Sequence, residues 1–166
     1  MEDQDASSEM HPRVGSTRDG SAVSALAGLD RALSHFPGHR LFTVLAIDWS
    51  RNENRRIYTS ARETYPCGGS KPLQRDSQYF EEVIKAGRTR FCLDREACRQ
   101  AFPDFELLER LGCESAVNVP IRDGGPTIGS LNLLHESGWY RRDMESALIP
   151  FARAAVPILL RNLHQE

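Results

Sequence analysis

Apolar positions along the chain fall into runs whose period changes from element to element. Leu26, Leu29, Leu33 and Phe36 recur at helical spacing within Ser21–Phe36, one apolar stripe that Pro37-Gly38 stops. Leu41–Asp48 (LFTVLAID) is β-rich and nearly continuously apolar, which predicts a buried strand. Polar Trp49–Arg56 predicts a turn, and Arg56–Ser60 (RIYTS) alternates as the second strand of a hairpin. Ala61–Arg75 carries Pro66, Gly68, Gly69 and Pro72, which predict a stretch without regular structure. Asp76–Ala86 predicts a helix with Asp76 as N-cap, Phe80, Val83 and Ile84 facing inward and Gly87 at its end. Arg90–Leu93 reads as a short strand. Asp94–Gln100 and Asp104–Leu111 read as two short helices, each opened by an Asp and separated by Phe102-Pro103, with Gly112 closing the second. Asp143–Leu163 is apolar at Met144, Leu148, Phe151, Ala155, Ile158 and Leu159, yet Pro150 and Pro157 lie inside it. An interior proline removes a helical hydrogen bond, so a kinked or split terminal helix is expected.

The segment around which these elements arrange is Ser115–His135. Its apolar runs Ala116–Ile121 and Thr127–Leu134 flank Asp123-Gly124-Gly125, residues that suit a tight reversal because glycine reaches positive φ at no steric cost. Ile128, Leu131, Leu133 and Leu134 leave neither side of the second run polar, the signature of a strand covered on both faces.

This hairpin resembles the last two strands of a GAF domain, specifically at Val119-Pro120-Ile121, Asp123-Gly124-Gly125 and Ile128-Gly129-Ser130-Leu131. In element order the resemblance extends from Ser21 to Leu163. It implies an α+β, PAS-like fold: a central antiparallel sheet, a helical layer behind it, and short helices and loops over a ligand pocket. It also implies a small-molecule sensor, expected here as a stand-alone domain over residues 21–166 behind a floppy 1–20 tail. Dimerisation through the helical layer, common in such proteins, implies a homodimer.

Charge and composition narrow the functions further. The chain has 166 residues and a formal net charge of −2, with no long basic run, which disfavours a broad nucleic-acid face. No apolar stretch approaches the ~20 residues of a membrane span, and the N-terminal segment lacks the apolar core of a secretory signal, so a cytoplasmic protein is expected. Cys67, Cys92, Cys98 and Cys113 show no close pairing, against both a disulfide framework and a structural zinc site.

By its position in the resemblance, the pocket draws on Thr64–Ile84 and Phe91–Cys113, with Asn118 and Asn132 on its floor. The candidate ligand-binding residues are Tyr65, Cys67, Lys71, Tyr79, Phe80, Phe91, Asp94, Phe105, Asn118 and Asn132, with Phe102 and Leu108 beside them. Apolar side chains serve equally as core or pocket wall. A buried amide needs a partner, so Asn118 and Asn132 face either a ligand or a hydrogen bond across the sheet. Lys71 after Gly68-Gly69-Ser70 could hold an anion with backbone N–H groups, or be simply solvated. Two other readings stand beside the binding module, and no cofactor is specified. One is a thiol enzyme resembling free methionine-R-sulfoxide reductase, with Cys67, Cys98 and Cys113 as candidate catalytic residues; Phe102-Pro103-Asp104-Phe105 stands where that family has Phe-Pro-Gly-His. The other is a haem or metal sensor using His135.

Overall fold

A computed structural model gives the fold, and residues 17–164 are described. A six-stranded antiparallel sheet runs in the order β3-β2-β1-β6-β5-β4. Its strands are β1 (Leu41–Asp48), β2 (Glu53–Thr59), β3 (Lys71–Pro72), β4 (Arg90–Cys92), β5 (Ser115–Arg122) and β6 (Thr127–His135). The hairpin β5–β6 turns through Gly124, whose φ of 64° is one a Cβ would disfavour. β6 pairs with both β5 and β1, and eight of its nine residues are buried.

Because successive side chains point to opposite faces of a strand, each central strand feeds two cores. On one face Phe42, Val44 and Ala46 of β1, Val117, Val119 and Ile121 of β5, and Leu131 and Leu133 of β6 form a single apolar cluster. Two helices cover it: α1 (Thr17–His35), through Leu26 and Leu33, and α4 (Glu145–Leu163), through Leu148, Ala155 and Leu159. α1 starts four residues ahead of the predicted Ser21. Residues 1–16 of the predicted tail lie outside the described residues. Phe36, placed on the apolar stripe by its spacing, falls just past the helix end and is exposed. Asp30 ties α1 to the sheet, accepting from the Tyr58 hydroxyl at 2.6 Å and pairing with His39 Nε2 at 2.8 Å.

α4 is one uninterrupted helix after a 3₁₀ turn at Arg142–Met144, so of the kink or split expected from its prolines the split does not occur. Pro150 and Pro157 are two turns apart on the exposed side. The carbonyls of Ser146 and Arg153, which lose their helical partners, therefore face water. By length and composition Arg142–Leu163 could cross a membrane. Its Leu148, Ala152, Ala155 and Leu159 are instead buried on the sheet and α1. Gly129 of β6 marks the closest approach in this layer: a Cβ there would lie 2.2 Å from the Leu45 carbonyl oxygen and 2.4 Å from Leu159 Cδ2.

The opposite face is covered by the remaining segments. The predicted helix over Asp76–Ala86 is a π-helical segment, Phe80–Lys85, in which Ala86 N–H reaches back to the Glu81 carbonyl. Its side-chain cap is Ser77, whose Oγ accepts from Phe80 N–H at 3.1 Å, rather than Asp76. Asp94 caps α2 (Arg95–Ala101) through Ala97 N–H at 2.9 Å. Asp104 precedes α3 (Phe105–Arg110) but makes no side-chain cap. Lys71–Pro72, inside the stretch expected to be irregular, pairs with β2 as an edge strand, where a proline's missing N–H costs nothing.

Candidate functional site

Across the face opposite α1 and α4 runs one row of polar residues. The strand registers set Arg90 opposite Asn118, Asn118 opposite Asn132, Asn132 opposite Thr43, and Thr43 opposite Thr59, spanning β4, β5, β6, β1 and β2. All five are buried, Arg90 at 4% and Asn118 at 2% exposure. Burying an unpaired amide costs roughly 1–3 kcal/mol, so such a row persists only if its members satisfy one another.

Four of them do, leaving Arg90 Nη1 aside, while Thr59 Oγ1 accepts from Ala61 N–H at 3.2 Å, and the directions follow from the one member that can only donate. Arg90 Nε donates to Asn118 Oδ1 at 2.9 Å, which turns Asn118 Nδ2 toward Asn132 Oδ1 at 2.8 Å. Asn132 Nδ2 is then free to donate to Thr43 Oγ1 at 3.2 Å. Ser130 Oγ gives its single hydrogen to Asn132 Oδ1 at 2.9 Å and so accepts from the Tyr79 hydroxyl at 2.6 Å. Burial pushes the Tyr79 phenol up to about 12, which keeps it a donor at neutral pH. The guanidinium of Arg90 lies 5.4 Å from the Tyr79 ring centroid and 5.3 Å from that of Phe102, within cation–π range.

Above this row lies a cavity of about 580 Å³. Arg90, Asn118, Asn132 and Thr43 of the row supply its floor together with Leu134 of β6 and Leu45 of β1. Its wall is the loop from Tyr65 to Ser77 on one side and Phe102–Leu108 on the other. The two sides meet where the Tyr65 hydroxyl donates to Asp104 Oδ2 at 2.6 Å, which explains why Asp104 does not cap α3. Burial and that carboxylate both push the Tyr65 phenol up. Arg56 stacks on the Tyr65 ring at 3.8 Å and donates to the Pro66 carbonyl at 2.5 Å, fixing the start of the loop to β2.

Of the residues singled out by sequence, Tyr65, Cys67, Lys71, Tyr79, Asn118 and Asn132 line this cavity, as do Phe102 and Leu108. Asn118 and Asn132 make the cross-strand bond and face the cavity as well. Four candidates lie elsewhere. Phe80 packs with Ile47, Leu73 and Ile84 and borders a second cleft of about 510 Å³ beside Trp49 and Arg122. Phe91 alternates to the helix-covered face of the sheet, where Arg142 lies over its ring at 5.7 Å. Asp94 is spent on capping α2, and Phe105 is buried in the apolar cluster beneath α2 and α3.

The cysteines divide in the same way. Cys67 is exposed on the cavity rim, whereas Cys92, Cys98 and Cys113 are buried and none of them lines the cavity. Burial pushes the Cys113 thiol up to about 11, and the hydrogen bond to Cys92 together with burial raises that of Cys98. His135 ends β6 away from the cavity, stacked on Trp139 with ring centroids 3.7 Å apart, and its Nδ1 accepts from Glu136 N–H at 2.8 Å. Among the described residues no group of three or more His, Cys, Asp or Glu side chains is placed to hold a metal ion.

Sequence reasoning missed Arg90, Arg56 and Thr43. The signal for Arg90 is parity: in a three-residue strand Phe91 and Arg90 cannot both face the cavity, and position in the resemblance points to Phe91.

The chain belongs to the GAF domain family, which it matches over residues 21–156. GAF domains are typically sensory, ligand-binding folds. The GAF/HD domain protein of Geobacter sulfurreducens superimposes with a TM-score of 0.67 at 12% identity, over 87% of this chain and 97% of that one. The GAF domain of a two-component sensor histidine kinase from Bacillus halodurans gives 0.66 at 12% identity, over 86% and 95%. A type II free methionine-R-sulfoxide reductase from Thermoplasma acidophilum gives 0.63 at 14% identity, over 85% and 94%. At these identities the likeness is one of fold. No curated protein matches the chain.

Proposed function

We propose that this chain is a sensory module of the GAF class that acts in the cytoplasm by binding a small molecule over the floor of its sheet. The observation that carries the reading is the 580 Å³ cavity above a fully buried polar row, the size and composition of an organic-ligand site. A packed core has no use for two amides and a guanidinium on one face, and a row that is mutually oriented before binding costs little to organise around a ligand. Four free cysteines suit a reducing compartment.

Assembly as a homodimer through the α1–α4 layer is part of the same proposal, supported by Val23 and Ile149 exposed on those helices. Light scattering at micromolar concentration should then give twice the 18.7 kDa chain mass. A monomer would remove this part and leave the cavity reading intact.

A thiol enzyme is the second reading, and the observation favouring it is that Cys67 reaches the cavity rim. A nucleophile must be a thiolate, and Cys98 and Cys113, which would have to serve as partners, are buried with thiols pushed up. The test is reduction of free methionine-R-sulfoxide by the protein with dithiothreitol as reductant. No turnover above the reductant alone is expected. Turnover that disappears in Cys67→Ser, Cys98→Ser or Cys113→Ser would replace the sensory reading with the enzymatic one.

A further inference from the structure

Arg90 raises a question that the fold alone does not answer. The residue is 4% exposed, yet the Nε bond to the neutral amide of Asn118 is the one hydrogen bond its guanidinium makes within the described residues. Its Nη1 is buried without a partner, and among the described residues no carboxylate pairs with it. A buried cation is ordinarily paired with an anion, because removing it from water costs several kcal/mol. The Tyr79 and Phe102 rings offset only part of that, and a structural arginine would be expected to sit beside an Asp or Glu. The cavity repeats the imbalance on a larger scale. In a chain of net charge −2, its lining carries Arg56, Lys71 and Arg90 against one carboxylate among the described residues, Asp104, and that one is engaged by Tyr65; Arg55 also borders the cavity but turns its guanidinium to Asn162 of α4.

From these observations we infer that the cavity takes a small organic anion, with a carboxylate or phosphate group on the Arg90 guanidinium and an apolar body against the adjoining wall. The inference rests on the small-molecule reading above and adds the chemical class of the ligand. Arg90 is suited to the role because its orientation is fixed before binding. Nε is held by Asn118, Asn118 by Asn132, and Asn132 by Thr43 and Ser130, so the guanidinium lines the cavity in one pose with Nη1 still without a partner. A planar donor edge held in this way matches the two oxygens of a carboxylate or phosphate, and a charge-assisted bond of this kind is worth about tenfold or more in affinity. Leu108 and Leu134 supply apolar wall within the same cavity.

The experiment is a titration of the full chain with benzoate, phenyl phosphate and the uncharged benzamide, up to about 20 mM, the range in which fragment-sized ligands bind. Calorimetry reads affinity, and nitrogen–proton correlation spectra read the Arg90 Nε–H and the side-chain amides of Asn118 and Asn132. At least one of the two anions should bind at least about tenfold more tightly than benzamide and shift the Arg90 signal; which one does so identifies the headgroup. R90Q should bring that anion's affinity down to benzamide's, while R90K retains an intermediate preference. Should R90Q fail to fold, the comparison of anions with benzamide on the unaltered protein decides alone.

If benzamide moves the cavity signals as strongly as both anions, the anion assignment is overturned and the small-molecule reading stands. An anion that binds while Arg90 is unmoved and R90Q is indifferent also overturns it. If no probe, charged or neutral, moves any cavity signal, the small-molecule reading falls and the assignment falls with it.

Discussion

Replacing Gly129 with alanine should destabilise the protein by about 3 kcal/mol or more, lowering its melting temperature by roughly 6–12 °C. The added methyl would lie 2.2 Å from the Leu45 carbonyl oxygen and 2.4 Å from Leu159 Cδ2. Leu159 could shift within the helical layer, but the Leu45 carbonyl belongs to the backbone of β1, which pairs with β6 opposite this position. Relief therefore requires β1 and β6 to separate at the centre of the sheet. Alanine at Gly125, in the β5–β6 turn, where a Cβ meets nothing closer than 3.9 Å, is the control and should change stability by less than about 0.5 kcal/mol. Urea denaturation followed by tryptophan fluorescence measures both. Equal midpoints for the two variants would show that the close approach at Gly129 is not what fixes the spacing of β1, β6 and α4.

The second large effect is expected at the polar row. Asn118→Ala removes the one acceptor that Arg90 has among the described residues and leaves a buried cation stripped of that hydrogen bond, at a cost of about 2–4 kcal/mol. Asn132 suffers less from the same change, since its Oδ1 keeps the Ser130 hydroxyl. The mechanism is separable from the cavity that alanine leaves behind. In an Arg90→Met background there is no cation to strand, so Asn118→Ala should cost less by about 1–3 kcal/mol, a coupling measurable by a double-mutant cycle. If the two changes add to within about 0.5 kcal/mol, Asn118 stabilises the sheet by packing alone and does not orient Arg90.

Much of the architecture was legible because it rests on burial. Leu41–Asp48 and the hairpin Ser115–His135 are apolar on both sides, and strands covered on both faces carry that mark in any context. Asn118 and Asn132 stood out for the complementary reason, as amides in apolar runs that had to find partners. The rest depended on choices that local sequence does not fix. β3 exists through its pairing with β2, not through any propensity of Lys71-Pro72. Asp94 and Asp104 carry the same helix-opening signal, yet Tyr65, far away in sequence, takes Asp104 for the cavity wall. β4 is too short for its alternation to show which face is which. Position in the family resemblance points to Phe91, while the register with Asn118 puts Arg90 in the cavity. The residue whose chemistry says most about the ligand was hidden by one step of parity.

The central claim, that an organic anion is held over the sheet by Arg90, is tested most directly by a crystal structure of the protein grown with whichever of benzoate and phenyl phosphate binds more tightly. The account predicts the probe inside the cavity, with an oxygen of its anionic group within hydrogen-bond distance of the Arg90 guanidinium and the Asn118–Asn132 pair intact beneath it. The anion seated instead in the cleft beside Trp49 and Arg122, or on Lys71 with its charged group away from Arg90, would contradict it, as would a cavity holding only water at saturating concentrations of both probes.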